Sequence, residues 1–175
     1  MFDELRLLLA PYYLWIKALH VLAAMIWAGS TAVAYAFYLK PAFRRVQHRP
    51  GDAAARAERN RLMERFDRGV ALEHLAFPVL VVTALAMLWL GGFELGRVSY
   101  LTVKVWLGVL VFLPMEIVDV YLSHLGGNKA AIRASGDAAR YERFMDLHWL
   151  FFRVTEPIIV IVVPIVVVLA VAKPF

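Results

Sequence analysis

The sequence predicts an all-α protein, a four-transmembrane-helix bundle with both termini on the non-cytoplasmic side and an interfacial helix before helix 2. Three observations carry that prediction. Of 175 residues 62% are apolar and 13% aromatic, and mean hydropathy is +0.65, beyond a soluble domain whose apolar share is about half. Four stretches, roughly 12–38, 70–91, 100–122 and 148–172, are long enough to cross a bilayer at about 20 residues per helical span. Basic residues are also unevenly spread, with nine Lys/Arg in 40–69 and four in 123–147 against one each in 1–11, 91–99 and 173–175. By the positive-inside rule the two long loops face the cytoplasm. The net charge of +5 is therefore topological, and lipid rather than nucleic acid is the expected surrounding. Residues 1–175 read as a single integral membrane domain, multi-pass.

The N-terminal "MFDELR" is acidic and leads into a helix longer than a signal core, with no small-residue cleavage site, so no cleaved signal is expected. Helix 1 follows in "YLWIKALHVLAAMIWAGS". The first loop opens with Pro and Gly punctuation. It then spaces Leu62, Met63, Phe66 and Val70 helically among charges, which predicts the interfacial helix from about residue 52, flowing into helix 2. "GGFELGRVS" predicts a tight outer turn before helix 3. The second loop breaks at Gly126 and Gly127 and restarts as a short helix near Asp137, ahead of helix 4. Pro78, Pro114, Pro157 and Pro164 sit inside spans and free the carbonyls of His74, Leu110, Arg153 and Val160.

The absence of cysteine excludes disulfides, thiolate metal sites and cysteine nucleophiles. On helix 1, His20, Ala24 and Ala28, with Ala23, Trp27 and Thr31 beside them, form a smooth face. Small residues admit either a neighbouring helix or a flat macrocycle with His20 directed at its metal. The plainer alternative is a histidine hydrogen-bonded across to another helix. Lys104 on helix 3 lies near the depth of His20, where it either snorkels to the interface or faces an anionic group. A second axial ligand at that level is restricted to Met87, Lys104 or none. The other half of the bundle is richer, with Glu73, His74, Glu116, Asp119, His124, His148, Arg153 and Glu156. Such a set suits a divalent metal, a proton relay or a buried ion-pair network, and pairing of Arg153 with Glu156 or a helix 3 acid is the default expectation.

These residues resemble the HemJ type of protoporphyrinogen IX oxidase, small four-helix membrane proteins of bacterial haem synthesis. The likeness rests on K-A-L-H and W-x-A-G in helix 1, "MERF" at 63–66, "VKVWLGVLV" at 103–111, and the ending "FFRVTEPIIVIVVPIVVVLAVAKPF" with Arg153. It implies haem b as cofactor and His20 and Lys104 as the characteristic polar residues; on this reading Trp27, Met87 and Arg153 are further candidate cofactor contacts and His74 or His148 alternative metal ligands. It also implies a porphyrinogen substrate, a quinone or respiratory electron acceptor, and the bacterial inner (cytoplasmic) membrane. Lys104, Glu73, Glu116 and Glu156 then become the candidate catalytic and proton-accepting groups, and a homo-oligomer is compatible with this reading. The chain departs from the family late in helix 3 ("FLPMEIVDV" where a His is usual), at Glu73-His74 and at Glu156-Pro157. Rival readings are a b-type cytochrome without porphyrinogen chemistry, a metal-ion or proton transporter built on the Glu/His cluster, and a structural subunit.

Overall fold

The computed structural model describes residues 2–93, 96 and 99–173, with the side chains of Phe2, Asp3 and Ser30 excepted. Most of the outer turn after residue 93 and the final Pro174-Phe175 lie outside the described residues. Within them the chain is helical without strands: α1 (Phe2–Leu9), a 3-10 turn, α2 (Tyr13–Ala34), a π turn (Tyr35–Leu39), α3 (Lys40–His48), α4 (Ala53–Gly69), α5 (Ala71–Gly91), α6 (Tyr100–Leu107), a second π turn (Gly108–Phe112), α7 (Leu113–Ser123), α8 (Lys129–Ala134) and α9 (Ala138–Ala172). Four helical stretches are long and apolar enough to cross a membrane: Glu4–His48, Ala53–Gly91, Tyr100–Ser123 and Ala138–Ala172.

Local chemistry sets the boundaries. Asp52, Ser99, Asn128 and Asp137 each accept a hydrogen bond from a backbone N–H three residues on, capping α4, α6, α8 and α9. Gly92 ends α5 in the left-handed conformation. The helix beginning after Asp137 is not short, as expected from sequence, but continues unbroken to Ala172 because no glycine or terminal cap interrupts 138–147. Each π turn stands just before a proline, Pro41 or Pro114. A proline ring collides with the carbonyl four residues back, and the wider turn relieves this while Lys40 and Leu113 donate instead to Tyr35 and Gly108.

α2 lies along α5, α6 and α7 pack on α9, and α8 bridges α4 and α9. The large-residue core sits at the loop end of the bundle, with Leu39, Phe43, Met63, Phe66, Met145 and Phe152 among its buried members. The stripe predicted for the helix before α5 is thus part of this core, with Met63, Phe66 and Val70 all buried. Salt bridges from Arg59 to Glu142 (2.7 Å) and from Arg133 to Glu64 (3.0 Å) tie α4 to its neighbours. Toward the other end the spans expose Leu14, Val82, Leu85, Ile161 and Val171, side chains that a membrane helix presents to lipid.

Candidate functional site

The smooth face of α2 is covered mainly by α5. Ala23 is buried, and Trp27 packs on Phe77 and Phe112 with ring centroids 5.3 and 5.0 Å away. His20, half-buried, directs Nδ1 to the Leu80 carbonyl at 3.2 Å and to Thr83 Oγ1 at 3.0 Å. A carbonyl can only accept, so Nδ1 carries the proton and Nε2 keeps its lone pair. Thr83 spends its own proton on the Val79 carbonyl at 2.6 Å and can accept from His20. The plain alternative, a histidine bonded to the neighbouring helix, therefore holds for one ring nitrogen, while the other has no protein partner among the described residues.

Met87 lies on the α5 face that carries Leu80 and Thr83, one turn beyond Thr83. Lys104 is half-buried, with its ammonium 5.6 Å from the Tyr100 ring centroid, and it lies within electrostatic range of His20, Lys17 and Lys173. His20 Nε2 and Lys104 are the groups in this region that could contact a haem. An imidazole oriented through Nδ1–H to a carbonyl is the usual arrangement of a metal-bound histidine, and Lys104 supplies a cation for a carboxylate beside it.

The half of the bundle nearer loops 40–69 and 123–147 contains several groups of buried polar side chains. Trp27 Nε1 donates to Glu116 Oε2 at 2.7 Å, and His74 Nδ1 donates to Oε1 of the same carboxylate at 2.9 Å. His74 faces His124 edge-on at 4.9 Å, and both Nε2 atoms are buried without a partner among the described residues. Burial holds His124 below the ordinary imidazole pKa, with the charge of nearby His74 adding to the effect. Thr31 donates to Glu73. Deeper toward the loops, His148 Nε2 donates to Asp119 Oδ1 at 3.1 Å, and Ser123 donates to the same oxygen at 3.2 Å. With Nε2 protonated, His148 Nδ1 accepts from Lys129, which also donates to the Leu122 carbonyl at 2.7 Å and to Asp67 Oδ1 at 3.2 Å.

Several expectations are corrected here. Arg153 forms no ion pair among the described residues. It is exposed beside Tyr35, Lys40, Arg44, Gln47 and Trp149, because its position on α9 faces away from Glu116 and Asp119. Lys129 takes the cationic role expected of it. Glu156 is half-buried and also without an ion pair among the described residues, although it lies within electrostatic range of Tyr35. The histidines considered as metal ligands, His20, His74 and His148, are not gathered, and no group of three His, Asp or Glu able to hold a metal ion occurs among the described residues.

Sequence reading missed Asp67 and Lys129, counted only as loop charges, and the partners Thr83 and Leu80. The one available signal was Lys129 directly after the Gly-Gly-Asn break, where a sharp turn can return a side chain to the bundle. A Cβ on Gly127 would lie 2.5 Å from the Leu122 carbonyl, so only glycine permits that turn. Compared with models of protein families, with curated proteins and with solved structures, the chain matches none.

Proposed function

We propose that this protein is a haem b-binding oxidoreductase of the bacterial inner membrane, oxidising protoporphyrinogen IX to protoporphyrin IX and passing the electrons to a quinone or another respiratory acceptor. Loops 40–69 and 123–147 face the cytoplasm, both termini face the other side, and α4 runs at the cytoplasmic interface. One observation carries the reading: the Nδ1–H donation of His20 to the Leu80 carbonyl, which leaves Nε2 as a pre-oriented ligand. The resemblance in helices 1 and 3 points the same way.

Haem, when bound, supplies one-electron transfer; the remaining chemistry belongs to the chain. His20 would hold the haem iron through Nε2, with Leu80 and Thr83 fixing the ring through Nδ1. Lys104 offers its ammonium to a propionate or to a carboxylate of the substrate. Oxidation of a porphyrinogen releases six electrons and six protons, and the protons need acceptors inside the bundle. Glu116 and His74 share one hydrogen bond, and Glu73 has a second carboxylate oxygen buried without a partner, so these groups can take up and hand on protons. A separate hydrogen-bonded group, Asp119, His148 and Lys129, lies nearer the loops.

Absorption spectra of the purified protein, oxidised and reduced, test the reading. Haem b is expected in the wild type, lost in His20→Ala and kept in His124→Ala, with porphyrin fluorescence appearing when porphyrinogen is supplied. A His20→Ala protein with its full haem complement defeats the ligand assignment. The two buried polar groups, around Glu116 and around Asp67 and Lys129, favour one second reading, a proton transporter, which a haem-free protein acidifying vesicles would select.

A further inference from the structure

Away from the His20 site, where the first span gives way to the basic loop, a cavity of about 370 Å³ is lined by Tyr35, Lys40, Arg44, Gln47, Trp149 and Arg153. Its walls are two helix faces. Lys40, Arg44 and Gln47 follow one another at i, i+4 and i+7 along α3, and Trp149 and Arg153 stand four apart on α9. The π turn completes the first wall, since its i+5 register brings Lys40 back over Tyr35, with the ammonium 5.6 Å from the ring centroid.

Three features distinguish this cavity from an ordinary basic surface. Lys40, Arg44 and Arg153 converge on it, and none of the three forms an ion pair among the described residues; Glu156, one turn from Arg153, is not part of the lining. Trp149 is 8% exposed, and its indole Nε1 is a buried donor without a partner among the described residues. That indole is held rigid by Phe43, stacked on it at 4.6 Å with 5° between the planes. Like charges brought together repel, so an anion with several acceptor oxygens relieves the repulsion among Lys40, Arg44 and Arg153. Two guanidiniums and an ammonium suit a tetrahedral oxyanion better than a planar carboxylate, because Lys40 and Arg44 stand on one wall and Arg153 on the other.

We propose that the cavity between α3 and α9 binds a phosphate group, presented either by an anionic phospholipid at the membrane surface or by a soluble phosphate compound. This site is independent of haem binding at His20. A phospholipid headgroup there would clamp the loop end of the first span to the fourth.

The test uses the full-length protein, delipidated in mild detergent and examined by native mass spectrometry with phosphatidylglycerol, phosphatidylcholine or inorganic phosphate. Wild type is expected to retain phosphatidylglycerol at least about tenfold better than phosphatidylcholine, and Arg44→Gln and Arg153→Gln should each lose about that preference. Arg49→Gln, an equal charge loss outside the cavity, should leave binding as in wild type. Phosphatidylglycerol retention that inorganic phosphate does not displace identifies the lipid as source, whereas saturable binding of inorganic phosphate lost in Arg153→Gln identifies a soluble phosphate compound. Equal retention of the two lipids together with no phosphate binding overturns the proposal, as does an Arg49→Gln loss as large as that of Arg153→Gln.

Discussion

Lys129 and Asp67, 62 positions apart, meet in the interior of the loop end, with Lys129 Nζ 3.2 Å from Asp67 Oδ1 and no part of Lys129 exposed. The lysine bonds also to the Leu122 carbonyl and to His148, so a single cation joins α4, α7, α8 and α9. Breaking a buried pair by removing one partner typically costs about 3–5 kcal/mol, because the other charge is left uncompensated. Lys129→Met should lower unfolding stability by about that amount, and adding Asp67→Asn should recover part of it. Additive losses in denaturant titration would show that the two residues do not act as a pair.

Burial holds the Lys129 ammonium below the ordinary lysine pKa, against the opposing pull of Asp67. Between the lowered value and the ordinary one the unfolded chain binds more protons than the folded chain, and stability then rises as pH increases. Comparison of unfolding midpoints across that alkaline window should give a positive slope in wild type that is reduced in Lys129→Met. An unchanged slope removes Lys129 as its source.

Glu116 accepts from both Trp27 and His74, at 2.7 and 2.9 Å. Trp27→Phe removes the indole N–H donor to a buried carboxylate and part of the packing on Phe77 and Phe112, and should cost at least about 1–3 kcal/mol, as for an unpaired buried acceptor. Glu116→Gln keeps the shape but loses the charge, and should slow proton-coupled turnover while leaving the haem spectrum as in wild type. A variant with full turnover would remove Glu116 from the proton route.

Thr83 accepts from His20 but does not set its tautomer alone, since the Leu80 carbonyl does so too. Thr83→Val is therefore expected to weaken haem retention by less than His20→Ala does, with a shifted rather than absent Soret band. Complete haem loss in Thr83→Val would mean that the threonine, not the carbonyl, holds the ring.

Reporter fusions at Gly51 and Gly127 should report cytoplasm, and those at Gly96 and the C-terminus the opposite side. The thirteen basic residues of the two long loops, against three in segments 1–11, 91–99 and 173–175, motivate this pattern. A cytoplasmic C-terminus would reverse the assignment of proton route and phosphate cavity to the cytoplasmic half.

The sequence by itself determined the four membrane-spanning runs, because a span is recorded locally as a run of apolar residues, while the helices that carry the first and the fourth run extend well beyond them, over Glu4–His48 and Ala138–Ala172. It also brought out Glu73, His74, Glu116, Asp119 and His148, since ionisable residues in apolar helices stand out from their neighbours. Which of them meet was decided only by the tertiary structure. The rotation of α9 about its axis turns His148 inward to Asp119 and Arg153 outward to Lys40 and Arg44, and no spacing within one helix fixes that rotation. Lys129 looked like one more loop cation because its burial depends on a turn at Gly127 and on an aspartate 62 residues earlier. Helix formation is a short-range matter of hydrogen bonds along one segment, whereas a buried charge is stabilised by partners that folding alone brings within reach.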